Sequence, residues 1–356
     1  MSFSTRLLEW YSGHGRSLPW RETRDPYVVW VTEIIFQQTR IDQGMEYFHR
    51  FLEAFPDVVR LASAPEDQVL RLWQGLGYYS RARNLHRAAR EIVDHRGGKL
   101  PDSFSEWMKV PGVGPYTAAA IASIAFNEVV PAVDGNVYRV LARMFALEES
   151  TETGKGKKVF HEIASQLISH DDPGSFNQAM MDFGATICKP AAPLCRECIF
   201  NYECLALARD DVAHFPVKKT PKPVRNRYFN YFFFFFEDGE GQRKFPVRQR
   251  DGKDIWKNLY ELPLIETPRE TSLEEIVNHP EWKARFPAKA DWVLNGPPYS
   301  HSHRLTHQLI HAKFFSLRVS REKAFTFTED FFLVDGKAFE LMPKSRLTLL
   351  FLQRNI

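Results

Sequence analysis

Apolar residues recur at three- and four-residue intervals in the first part of the chain, as in Val69, Leu72 and Leu76 and again in Val137, Val140, Leu141 and Met144. That spacing lines one face of a helix. The run Ala118 to Ala120 favours helix and close packing. Asp57 after Pro56 and Asp134 before a periodic run read as helix openings. Strand-like alternation is scarce up to about residue 208, so residues 1–208 are expected to be all-α. Residues 209–227 hold Pro216, Pro221 and Pro223 among basic residues and read as a linker. The pattern then changes. Tyr228 to Phe236 is dense in β-formers, ends at Glu237-Asp238-Gly239, and leads into Arg243 to Arg250, where Phe245 and Val247 alternate. This is a hairpin pattern, with Pro246 confining its second strand to a sheet edge. A helical stretch near Leu273 to Val277, strand-like stretches at His311 to Val319 and Phe325 to Phe332, and a helical end from Ser345 to Leu352 complete an expected α+β domain over 228–356. No internal repeat is visible.

Hydrophobic residues make up 44% of the 356 positions and charged residues 26%, so most of the chain is expected to fold rather than remain disordered. The longest apolar stretch, Tyr228 to Phe236, is nine residues and contains Asn230, too short to cross a bilayer as a helix. The first residues lack the long apolar region of a secretory leader, so a cytoplasmic protein is expected. Net charge is only +3, but it is unevenly spread: −3 over residues 1–210 and +6 over 211–356. Lys218, Lys219, Lys222, Arg225 and Arg227 supply much of the excess. Such a segment can track a phosphate backbone or be a solvated linker, and charge alone does not separate the two.

Cys188, Cys195, Cys198 and Cys204 are the only cysteines, spaced C-x6-C-x2-C-x5-C. A large chain without a leader does not call for disulfides. Four thiolates so close need a metal centre, either zinc or an iron–sulfur cluster. Only one short C-x2-C step is present, and the wider loops suit the bulkier cluster. Lys189 and Arg196 in this loop could meet phosphates or be merely solvated.

Val110-Pro111-Gly112-Val113-Gly114-Pro115-Tyr116-Thr117 leads directly into the alanine-rich helix. Gly112 and Gly114 permit a tight turn and close backbone approach, and the N–H groups opening the helix can receive a phosphate. With a helix expected from Phe104 to Lys109, this is either a helix-hairpin-helix grip on the DNA backbone, near 104–122, or an ordinary helical connection. Asp134 precedes a helix, where capping is its ordinary role. Glu33 is followed by Ile34, Ile35 and Phe36. Burial there would raise its pKa and suit it to be a general acid, whereas a surface glutamate in the first turn of a helix is the plainer alternative.

Taken together, the glycine turn, the aspartate some twenty residues later and the cysteine loop, in that order, resemble the helix-hairpin-helix DNA glycosylase superfamily with an iron–sulfur cluster. The MutY-type adenine glycosylases are the most similar branch. The segments that carry the likeness are Leu18-Pro19-Trp20-Arg21, Thr32-Glu33 through Gln37-Gln38-Thr39, Gly75-Leu76-Gly77-Tyr78-Tyr79-Ser80-Arg81-Ala82-Arg83-Asn84-Leu85, Asp134-Gly135-Asn136-Val137 and Phe176-Asn177-Gln178-Ala179. The likeness is dense over 1–208 and looser beyond.

The resemblance implies removal of adenine opposite 8-oxoguanine or guanine in double-stranded DNA, by a monomer holding a 4Fe–4S cluster on Cys188, Cys195, Cys198 and Cys204. Glu33 would protonate the base, and Asp134 would stabilise or attack the oxocarbenium-like sugar. Tyr116 and Asn136 would orient them. Trp20, Arg21 and Gln178 would line the base pocket, and Gln38, Leu76 and Tyr78 would fill or wedge the duplex. Relatives that also cleave the strand carry a lysine where this chain has Tyr116, so a monofunctional enzyme is expected. Relatives acting on thymine also carry a tyrosine there but lack the glutamate at position 33. The second domain resembles the Nudix-like domain of this family. Its Phe-Ser-His recognition loop stands here as Leu305-Thr306-His307, with Thr306 keeping the hydroxyl. The pyrophosphohydrolase box is broken: Arg269-Glu270 and Glu274-Glu275 are present without the required glycine or spacing. His303, His307 and His311 recur every four residues, but the segment reads as a loop into a strand rather than a helical zinc site. The substrate would associate the protein with the bacterial nucleoid.

Overall fold

In a computed structural model the chain is described at all positions except 218–222, 240, 287–291, 321–329 and 356. It divides into two compact units, one of Met1–Ser63 with Arg83–Thr220, the other of Ala64–Ala82 with Pro221–Ile356. The helices of the first part of the chain are α1 (Phe3–His14), α2 (Pro26–Ile35), α3 (Ile41–Ala54), α4 (Val58–Ser63), α5 (Glu66–Leu72), α6 (Ser80–Arg96), α7 (Phe104–Trp107), α8 (Pro115–Phe126), α9 (Gly135–Phe145), α10 (Gly154–Leu167), α11 (Pro173–Thr186) and α12 (Leu205–Ala208). A 3-10 turn, Pro19–Arg21, follows α1. No helix among the described residues is long and apolar enough to cross a membrane.

The helical unit forms because its periodic faces have somewhere to go. Val137, Val140, Leu141 and Met144 of α9 are buried against Phe160, Phe176, Met180, Phe183 and Phe200. Each such side chain contributes about 1.5–3 kcal/mol by leaving water. The small residues of α8, Ala118 to Ala120 and Ala122, are buried and let α2, α7 and α11 pack close around that helix. The spacing Val69, Leu72, Leu76 does not continue as one helix: α5 stops at Leu72 and Leu76 lies in a loop. Gly75, Gly77 and Tyr78 there have φ of 108°, 75° and 48°, which no helix accommodates.

In the second unit β1 (Arg225–Glu237) is central, with β2 (Arg243–Gln249), β3 (Tyr260–Glu261), β4 (Leu264–Thr267), β5 (Trp292–Leu294), β6 (Tyr299–Arg304), β7 (Gln308–Val319) and β8 (Phe332–Asp335). β1 pairs in parallel with β7 from Arg225↔Gln308 to Phe235↔Arg318, and antiparallel with β4 and with β2. β5 and β6 pair antiparallel with β7, and β3 and β8 antiparallel with β2. Helices α13 (Leu273–Val277), α14 (Pro280–Arg285), α15 (Gly336–Glu340) and α16 (Arg346–Asn355) complete the unit. The near-continuous phenylalanine run of β1 is buried on both faces. Phe229, Tyr231, Phe233 and Phe235 enter one core with Phe314 and Phe351, while Phe232 and Phe234 enter another with Trp282, Phe286 and Phe315.

Three sequence expectations need correction here. Pro246 does not put β2 on an edge: the strand has β1, β3 and β8 as neighbours, and Pro246 lies where only β8 is paired. Arg225 and Arg227 belong to β1 rather than to a linker. Arg227 is buried and spends its charge on Asp254 (Nη2 to Oδ2, 2.6 Å) and Glu266 (Nη2 to Oε2, 2.6 Å), so it is not available to a phosphate. Lys218, Lys219 and Lys222 lie outside the described residues, as does most of the stretch Phe325 to Phe332.

Candidate active site

A cleft of about 1170 Å³ opens in the helical unit, lined by parts of α2, the glycine turn with α8, and the start of α9. Trp20, Arg21, Glu33, Gln38, Gly112, Gly114, Tyr116, Asp134 and Asn136 all reach it. The hairpin brings Tyr116 there. Gly112 has φ +78°, and a Cβ on it would sit 2.6 Å from Asn84 Cβ, so the turn requires glycine. Gly114 caps α8, with Pro115 at its first position and Tyr116 next. The first N–H groups of α8 therefore open at the cleft margin, as an anion grip requires.

Glu33 is the eighth residue of the ten in α2, not part of its first turn. Thr32, Ile34 and Ile35 around it are buried. Burial pushes its carboxyl up to about 7. A hydrogen bond from Tyr116 and the charge of Arg21 oppose that rise, and Asp134 adds to it. The Tyr116 hydroxyl also reaches Met181 Sδ at 3.5 Å. Its own pKa is raised by burial and by Glu33, which keeps it a donor.

Asp134 is indeed an N-cap. Its Oδ1 accepts from the backbone N–H of Asn136 and of Val137, each at 2.8 Å, and its Oδ2 accepts from Asn136 Nδ2 at 2.7 Å. Burial raises its pKa, while these three donors and Arg139 act to keep it ionised. The carboxylate that caps α9 thus also faces the cleft.

Two features were missed in the sequence. Asp182 is fully buried (0% exposed) and accepts from Arg16 Nε at 2.8 Å and from Arg21 Nη2 at 2.6 Å. Burial would raise its pKa, but the bonds from Arg21 and Arg16 outweigh it and hold the carboxyl below its usual range. The available signal was position: Asp182 follows Gln178 by one helical turn on α11. Gln178 itself does not line the cleft; it accepts from the Tyr11 hydroxyl at 2.9 Å, and Arg21 lies over the Tyr11 ring. Trp20 stacks near Phe36, with ring centroids 4.4 Å apart. The second missed feature is Arg139. It donates to Asn136 Oδ1 at 2.8 Å and to Cys188 O at 2.7 Å, joining the start of α9 to the cysteine loop.

The four cysteines form no disulfide and line one otherwise largely apolar pocket with Val140, Met144, Phe183, Pro193 and Leu207. Arg143 fixes the loop, donating to Lys189 O at 2.7 Å, Pro190 O at 3.1 Å and Cys188 Sγ at 3.4 Å. Burial raises the thiol of Cys198 to about 11, and the neighbouring cysteines add to that. Holding these groups as thiolates therefore needs a compensating cation. Among the described residues no three His, Cys, Asp or Glu side chains converge as ligands of one ion. Four thiols gathered in one pocket are a donor set that fits a thiolate-ligated metal centre.

Leu76, Tyr78, Thr306 and His307 lie in the second unit. Leu305–His307 form the turn between β6 and β7, with Thr306 and His307 exposed, and the Tyr78 and Thr306 hydroxyls are hydrogen-bonded. Ser302 pairs with His311 and His303 with Ile310, so His303 and His311 occupy opposite sheet faces and do not converge. Glu270 pairs with Lys313 and Glu275 with Arg269.

A helical unit with a hairpin grip and two carboxylates at one cleft is the architecture of a base-excision glycosylase. Residues 31–166 match the family described as HhH-GPD superfamily base excision DNA repair protein. The adenine DNA glycosylase of Buchnera aphidicola subsp. Acyrthosiphon pisum (strain APS) is 34% identical over 269 residues, covering 75% of each chain. That of Mus musculus is 42% identical over 217 residues, covering 58% of this chain and 42% of that one. Among solved structures, a thermostable thymine-DNA glycosylase is 29% identical with a TM-score of 0.55, covering 58% of this chain and 95% of that one. An endonuclease III in a non-covalent DNA complex shares the fold at 22% identity and a TM-score of 0.50, covering 59% of this chain and 99% of that one. The chain belongs to the MutY-type adenine DNA glycosylase family within that superfamily, and it is a DNA glycosylase.

Proposed function

We propose that this glycosylase removes adenine mispaired with 8-oxoguanine or guanine, by hydrolysis of the N-glycosidic bond and without cutting the strand. The relatives' names support adenine as the base. The observation that carries the mechanism is Glu33, a half-buried acid pushed up to about 7 and bonded to Tyr116, at the same cleft as the carboxylate of Asp134 that caps α9. The target base leaves the stack to enter the cleft. Trp20 and Arg21 receive it, and Gln178 supports that wall through Tyr11. Protonated Glu33 gives its proton to a ring nitrogen of adenine. The electron pair of the breaking C–N bond leaves with the base, which departs neutral. Asp134, oriented by Asn136, stabilises the oxocarbenium-like sugar until water adds, and ionised Glu33 takes up the proton that water releases. Gly112, Gly114 and the start of α8 hold the backbone, and Gln38, Leu76 and Tyr78 meet the duplex near the opposing base. Thr306 and His307 read its edge.

No lysine lines the cleft among the described residues, which supports a monofunctional enzyme. Cys188, Cys195, Cys198 and Cys204 hold a 4Fe–4S cluster, whose role when bound is to pin the 188–204 loop. The sheet unit is a Nudix-like domain without the pyrophosphohydrolase activity, and the protein works as a monomer on bacterial nucleoid DNA in the cytoplasm. A second reading, thymine excision, is favoured by the thymine-DNA glycosylase likeness; Glu33 argues against it. Incubating the full chain with duplexes of every base opposition, with and without alkali, tests both. Adenine release from 8-oxoguanine:A exceeding that from G:A by roughly tenfold, with breaks only after alkali, is expected. Thymine release from G:T with no adenine release would overturn the proposal.

A further inference from the structure

The segment 64–82 belongs to the sheet unit, and two of the bonds that fasten it there meet on one residue. Lys344 N–H donates to Gln74 Oε1 at 3.1 Å, and the Tyr79 hydroxyl donates to Lys344 O at 3.2 Å. These two bonds grip the two ends of the loop Gly75–Tyr78 by the two main-chain groups of a single residue. Lys344 cannot swing away. It is 1% exposed, its ammonium donates to Met342 O at 2.7 Å and Glu340 O at 3.3 Å, and it lies over the Phe339 ring at 4.9 Å. Upstream, the Tyr260 hydroxyl donates to Asp67 at 3.0 Å, and Asn258 bonds Glu66. The loop between the grips has φ of 108°, 75° and 48° at Gly75, Gly77 and Tyr78. A left-handed tyrosine is unfavourable on its own and persists where the surroundings impose it. At the tip, Tyr78 is 48% exposed while its hydroxyl meets that of Thr306. The facing turn is itself fixed, with Leu305 N donating to Gln308 O at 2.8 Å and Arg225 N to His307 O at 3.0 Å.

We propose that the Lys344 main chain locks the loop Gly75–Tyr78 and the turn Leu305–His307 into one rigid reader, with Gln74 and Tyr79 as positioning residues for recognition of the base opposite adenine. This rests on the mispair reading above. Neither residue meets the cleft that holds Glu33 and Asp134. Losing one bond should therefore blur recognition and spare the chemistry. In the full-length protein, Gln74→Leu is expected to lower the ratio of single-turnover rates, 8-oxoguanine:A over G:A, by about fivefold, with the G:A rate within about twofold of wild type. Gln74→Glu keeps an acceptor for the Lys344 N–H and is expected to keep the wild-type ratio. Tyr79→Phe removes the other grip, should lower the ratio similarly, and carries the same test if Gln74→Leu fails to fold. A ratio unchanged in both Gln74→Leu and Tyr79→Phe overturns the proposal and leaves the mispair reading standing. Equal losses on both duplexes also overturn it, since they would assign these side chains to general stability. A wild-type protein that excises adenine equally from the two duplexes overturns the proposal alone, and one that excises it from neither overturns the mispair reading with it.

Discussion

Glu33→Gln is expected to slow single-turnover excision of adenine by about 10²–10⁴-fold, the usual worth of a general acid, while duplex binding survives. Glutamine keeps the shape and a group that can bond Tyr116, but has no proton to give. A rate within about threefold of wild type would reject the role. The same variant should gain stability, and the sign follows from linkage. The folded carboxyl titrates near 7 against an ordinary value of 4.5. Between those values the folded state binds more protons than the unfolded one, so stability is lost as pH rises and the loss is complete above 7. The cost at pH 8 is at most roughly 3 kcal/mol. Glutamine never ionises, so Glu33→Gln should melt above wild type at pH 8, with the gap closing as pH falls toward 4.5. Lower activity with higher stability separates a catalytic loss from a folding defect.

Arg143→Met is expected to destabilise the protein by roughly 3 kcal/mol or more, because several carbonyls lose a buried donor together. Arg143 is 3% exposed and donates to carbonyls within the cysteine loop and beyond it, Lys189 O, Pro190 O and Val212 O. Methionine fills part of the space and satisfies none of them. The 188–204 loop should loosen, so iron bound per chain and the melting temperature should fall together. Excision should fall with them, because Arg139 ties Cys188 O to Asn136, which orients Asp134. Iron content and melting temperature equal to wild type would contradict this account of the loop. Stoichiometric zinc without iron in anaerobically prepared wild-type protein would contradict the cluster itself.

Local signals were legible in the sequence and distant ones were not. The apolar face of α9, the alanines of α8 and the turn at Gly112 depend on neighbours a few residues away, and they stand where the pattern puts them. The phenylalanine run of β1 was equally plain. Its parallel partner β7 lies some eighty residues further on, and no periodicity encodes such a pairing. The short strands β3 to β6 hold two to six residues each, too few to carry a period. Arg227 read as a linker cation because its partners Asp254 and Glu266 are remote in sequence. Glu33 lay between two readings for the same reason: its apolar neighbours were visible, but its burial and its bond to Tyr116 are set by α8. Leu76 extended a helical period past the end of α5, where Gly75 and Gly77 already marked a turn.

The most direct test of the central claim is the pH dependence of single-turnover adenine excision from an 8-oxoguanine:A duplex by the full-length protein. If Glu33 supplies the proton, the rate holds between pH 6 and 7 and then falls toward tenfold per pH unit above about 7, as the acid form is lost. A rate that stays level to pH 9, or rises, would contradict it.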